Sequence, residues 1–105
     1  MRRALLLAGV LASSLGSTSA QEGRIQRGQN FAQIHCAQCH AIGRFGDSPV
    51  AEAPPFRTLG TKYPIESLAE AFAEGITTGH PTMPEFQLDV AQINDLLAYL
   101  SSVQR

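Results

Sequence analysis

The chain has 105 residues, 44% of them hydrophobic, with no tryptophan and a formal charge of −1, which suits one small globular domain and is too short for two. Beyond Arg2 and Arg3 its basic residues are scattered singly, which argues against a nucleic-acid binder, because such proteins cluster Lys and Arg to displace phosphate counterions. No internal repeat or low-complexity tract divides it.

The amino terminus reads as an export signal. Arg2 and Arg3 are basic, Ala4 to Leu15 are mostly apolar, and Ser17-Thr18-Ser19-Ala20 supplies the small residues of a cleavage point. The apolar run is about a dozen residues, short of the roughly twenty that a spanning helix needs. Residues 1–20 are therefore expected to be removed and 21–105 to form the mature domain, with no stable membrane insertion. The two arginines are an incomplete twin-arginine cue, so the general export route is favoured. Without Arg2 and Arg3, six basic residues face nine acidic ones, and the mature chain carries a formal −3.

Ile25, Gly28, Phe31, Ala32 and His35 recur at helical spacing, which predicts a helix ending just before the only two cysteines. Those cysteines lie in Cys36-Ala37-Gln38-Cys39-His40. A disulfide is the default for an exported pair, and a thioredoxin-type redox couple is the next alternative. The redox couple needs a βαβ context, and no strand-like run precedes Cys36. A zinc site would want a second ligand pair that His35 and His80 do not make. Covalent haem is the third possibility, and the motif joined with an export signal and a second axial ligand favours it over the disulfide. Positions i, i+3 and i+4 share a helical face, so Cys36 and Cys39 reach two vinyl groups while His40 points at the iron.

Gly43 to Thr61 is rich in Gly and Pro and has little periodicity. A structureless stretch of that length is unusual in a compact domain, unless it wraps a large apolar cofactor that supplies the missing core. A middle helix follows, with Pro64 near its first turn and Ile65, Leu68, Phe72 and Ile76 on one side. Glu66, Glu70 and Glu74 form a solvated face of it.

Met83 is the only methionine of the mature chain and lies in Gly79-His80-Pro81-Thr82-Met83-Pro84. The flanking prolines preclude regular helix or central strand, so Met83 is expected on a stiff loop as second axial ligand. His80 is the competing ligand. Finally, Asp89 is an N-cap with Gln92 as capping-box partner and Leu88 and Ile93 as a hydrophobic staple. From there Val90, Ile93, Leu96, Leu97, Leu100 and Val103 make one apolar stripe.

The Gly28/Phe31 pair, the CAQCH motif, Ala53-Pro54-Pro55-Phe56, the Met83 loop and a terminal helix containing Tyr99 together resemble the class I c-type cytochromes, over essentially residues 24 to 103. The resemblance implies an all-α fold. Its amino- and carboxy-terminal helices cross, and a middle helix and long loops wrap a covalently bound haem c. Gly28 would let the crossing backbones approach, Phe31 and Tyr99 would fill the crossing, and the carbonyl of Pro54 or Pro55 would orient His40. Lacking a tryptophan, the chain would turn to Tyr63 or Arg57 for the haem propionates.

The expected role follows from ligation. Iron held by His40 and Met83 has no open position, so the expected function is outer-sphere electron transfer at fairly high potential, and the chain is not expected to be an enzyme. The partners would be redox proteins, one donor and one acceptor, met in the periplasm by a monomer. An acidic mature surface without a lysine ring argues for a near-neutral docking patch. The alternatives are a cytochrome subunit of an oxidoreductase complex and a haem peroxidase or gas sensor with a displaceable Met83.

Overall fold

The last helix begins where its own sequence caps it. Asp89 is extended, its carboxylate accepts from the Gln92 amide at 2.8 Å, and the Gln92 side chain accepts from the Asp89 amide at 3.1 Å. The reciprocal pair satisfies two amides that a helix start leaves open. In the computed structural model, which describes residues 13–76 and 82–105, the helices are α1 (Ser13–His35), α2 (Leu68–Glu74) and α3 (Val90–Val103), with 3-10 turns at Phe56–Thr61 and Ile65–Ser67. Among the described residues there is no strand, and the all-α expectation holds. No described helix is long and apolar enough to cross a membrane.

The largest helix pairing is α1 with α3. It is set by Gly28, which is buried: a methyl built on it would run into the Asp95 carbonyl oxygen and come within 2.7 Å of Tyr99 Cβ. Arg27 Nε reaches Asp95 Oδ2 at 3.1 Å across the same pairing. With the Arg27 side chain 61% exposed, that ion pair contributes at most about 1 kcal/mol. The close packing of backbone and side chains does more.

Leu96 and Leu100 are the most buried large side chains, and Ile93, Tyr99 and Val103 continue their stripe against Ala32, Phe56, Ile65 and Phe72. Two expectations for the stripes are corrected. Val90 is 73% exposed, because it stands at the first helical position, where the stripe runs past the core. The middle helix is shorter than predicted: Pro64 caps the 3-10 turn Ile65–Ser67, α2 spans only Leu68–Glu74, and Gly75 at φ +102° stops it. Ile76 therefore leaves the helix, although it still packs on the core.

The segment expected to be structureless closes on itself. Phe56 N donates to Ala41 O at 2.9 Å, Val50 N to Cys39 O at 3.1 Å and Ala41 N to Ser48 Oγ at 3.0 Å. Its ends thus meet as in an Ω-loop, and a 3-10 turn follows directly. That turn is tied to the carboxy terminus by one side chain: Gln104 Nε2 donates to Phe56 O at 2.7 Å and to Leu100 O at 2.8 Å, while its Oε1 accepts from Gly60 N at 2.7 Å. Gln104→Ala removes all three bonds and is expected to lower the thermal midpoint of the loaded protein by roughly 5 to 15 °C, measured by circular dichroism.

α1 runs through Ala20 without a break, and its first described side chain on the core is Ile25. Residues 1–12 lie outside the described residues.

Candidate functional site

The CAQCH motif begins where α1 ends. Cys36 N and Ala37 N both donate to Ala32 O, at 2.8 and 2.9 Å, and then Cys39 N and His40 N both donate to Cys36 O, at 3.1 and 2.9 Å. One turn therefore gathers Cys36, Cys39 and His40, all half-buried. Neither cysteine is in a disulfide. Burial, and secondarily the neighbouring Cys39, push the Cys36 thiol up to about 11. A redox-exchange cysteine needs the opposite shift, toward thiolate.

His40 is held from two sides. Its ring lies 5.2 Å from that of buried Phe56, and its Nδ1 is 2.8 Å from the Pro54 carbonyl. A carbonyl only accepts, so Nδ1 carries the proton and Nε2 presents its lone pair. Of the two prolines the sequence left open, Pro54 takes the imidazole, whereas the Pro55 carbonyl accepts from Thr58 N and Thr58 Oγ1 at 3.1 and 2.9 Å. A carbonyl behind a ligating imidazole fixes its tautomer and raises its basicity. The Ω-loop thus has a purpose: it returns the chain to His40 fourteen residues on.

Tyr99 Oη donates to Ile42 O at 2.8 Å, so α3 holds the loop immediately beyond His40. Tyr99 sits in the α1–α3 contact, and half-buried Phe31 packs on the core and also sets its ring against His35 and Phe86. Arg57 Nη1 donates to Gly46 O at 2.8 Å, and Tyr63 is 52% exposed.

Met83 is half-buried in the irregular segment 82–89. Ile76 N donates to Phe86 O at 3.2 Å and Leu88 N to Phe72 O at 2.8 Å, which fastens that segment to α2 and to the chain just beyond it. The Phe86 ring carries it to the last turn of α1, beside Cys36. His80 lies outside the described residues.

These residues fit a covalently attached haem: two unbridged thiols stand in one turn with an imidazole whose Nδ1 is engaged and whose Nε2 is free to ligate. Ser48, Gln104 and Phe86 also shape the site. Their roles depend on partners 7, 48 and 51 or more residues away in the chain, and only the spacing of Phe31 and His35 hinted at any of them.

A family model described as "Cytochrome C oxidase, cbb3-type, subunit III" matches residues 23–100. Cytochrome c-552 of Bradyrhizobium diazoefficiens is 30% identical over 95 residues, which covers 90% of this chain and 89% of that protein. No solved structure gives a significant match.

Proposed function

From the premise that the chain belongs to the small monohaem c-type cytochromes, we propose that it is a periplasmic one-electron shuttle of fairly high potential, ligated by His40 and Met83. When bound through Cys36 and Cys39, a haem c supplies a reversible one-electron couple. The Pro54 contact to His40 Nδ1 at 2.8 Å carries the reading, because it is the arrangement a ligating imidazole needs and a merely packed histidine does not.

His40 would give a nitrogen ligand, and Met83 a soft thioether that would favour the ferrous state and raise the potential. With both residues in place no position is open to substrate or peroxide, so the role is carrier rather than enzyme. Cleavage after Ala20 would release residues 21–105 as the exported, acidic carrier. Its donor and acceptor are redox proteins that read the cofactor's edge rather than a charged ring.

Met83→Ala tests the ligand. The optical spectrum of the ferric variant is expected to lose its sulfur-to-iron charge-transfer band, and the reduced variant to bind carbon monoxide that the wild type refuses. An unchanged spectrum would move the ligand to His80, and carbon monoxide binding by the wild type would favour a peroxidase or gas sensor.

A second reading, a cytochrome subunit fixed in an oxidoreductase complex, is favoured by the matched family's description as an oxidase subunit. Against it, the likeness to Cytochrome c-552 extends over nearly the whole of that small protein. Purification alone or with a larger enzyme separates the two.

A further inference from the structure

Three rings meet where the segment carrying Met83 touches α1. Phe31 and His35 are four residues apart and share a helical face, with centroids 4.5 Å apart and planes inclined at 40°. Phe86, three residues beyond Met83, stands edge-on to both, at 6.4 Å and 68° from Phe31 and at 6.0 Å and 72° from His35. These separations and inclinations lie in the range that aromatic quadrupoles favour.

Phe86 also accepts from the chain just beyond α2, through the Ile76 N to Phe86 O bond at 3.2 Å, and beside it Gln87 Nε2 donates to Ala73 O in α2 at 3.3 Å. Its backbone therefore binds the turn that follows α2 and its ring meets α1. The α2 bonds lie at the segment's carboxy-terminal end and leave Met83 itself on irregular chain. The ring contacts join this segment to α1, which leads directly into Cys36 and Cys39.

We propose that His35 is a positioning residue for Met83: its ring, braced on Phe31 and set against Phe86, holds the methionine segment closed on α1 and so slows dissociation of the Met83 thioether. This deepens the assignment of Met83 as ligand and rests on it. His35 is exposed and absent from the core cluster, so its ring is available for this work at little cost to global stability when removed. A purely structural aromatic would be expected inside the core.

The mechanism is local opening. The segment must lift before an outside ligand reaches the position held by Met83, and the opening equilibrium includes the contacts that Phe86 loses. Loss of the His35 contact is expected to raise the opening population, and with it the displacement rate, by roughly three- to tenfold.

The test uses the ferric holoprotein and exogenous imidazole, with stopped-flow decay of the charge-transfer band as readout, in the wild type, His35→Ala and His35→Phe. His35→Ala is expected to accelerate displacement by roughly three- to tenfold with an unchanged global unfolding midpoint. His35→Phe keeps a ring and is expected to restore the wild-type rate. Phe86→Leu should accelerate displacement as well, removing the same contact from the other side. Equal rates in wild type and His35→Ala overturn the proposal, as does acceleration in His35→Phe equal to that in His35→Ala, or a rise explained by a lower unfolding midpoint. A wild type without the charge-transfer band would instead overturn the Met83 assignment, and this proposal with it.

Discussion

Replacing both Cys36 and Cys39 with serine is expected to leave the exported protein without haem stain on a denaturing gel and without a cooperative thermal transition in circular dichroism. The first effect follows from chemistry, because the hydroxyl of serine does not form the thioether, and the proposed ligands His40 and Met83 would alone give a dissociable complex. The second follows from the size of the core. A chain of this length buries only some 60 to 65% of its unfolded surface and is marginal without help. Here the buried set is chiefly the α3 stripe with Ala32, Phe56, Ile65 and Phe72, while Ile25, Phe31, Ile42, Leu59, Leu68 and Ile76 are only partly covered. A large apolar cofactor attached at the end of α1 would cover part of that remainder, each 100 Å² being worth about 2.5 kcal/mol. A sharp transition in the serine variant, near the wild-type midpoint, would show that the polypeptide core suffices. Haem stain retained in that variant would refute attachment at these two positions.

Gly28→Ala is expected to destabilise the loaded protein by about 2 to 4 kcal/mol, although helix propensity taken alone predicts a gain of about 1 kcal/mol. The sign is decided by what the new methyl meets. It runs into the Asp95 carbonyl and comes within 2.8 Å of the Asp95 carbonyl carbon and 2.7 Å of Tyr99 Cβ. These are backbone atoms and a Cβ, none of which can rotate aside, so α1 and α3 must separate. Separation would loosen Leu96, Tyr99 and Leu100 together and pull at the Tyr99 bond to Ile42 O, two residues past His40. Denaturant melts should show a lower midpoint with an unchanged slope. A midpoint equal to or above that of the wild type would contradict the close approach of the two helices.

The legible parts of the fold were those carried by neighbours in the chain. The α3 start could be read from Asp89 and Gln92 because a capping box closes within four residues, and the stripe from Ile93 to Val103 because helical period alone sorts it. The end of α1 was legible for the same reason. Less legible was the middle: α2 stops at Gly75, whose φ of +102° is a backbone state that apolar spacing through Ile76 does not register. The Gly- and Pro-rich stretch looked structureless because its bonds, such as Phe56 N to Ala41 O, join residues fifteen apart.

By itself the sequence determined the chemistry on offer: two thiols and an imidazole at fixed spacing, a methionine between prolines, and the helices around them, all of which depend on bond lengths and rotations within a few residues. Only the tertiary structure decided which proline carbonyl faces His40, how closely α1 and α3 pack at Gly28, and that Phe86 joins the methionine segment to His35. Those choices are contacts between segments brought together by burial, and burial is non-directional and depends on the whole chain at once, so no local pattern encodes which of several equivalent partners will meet.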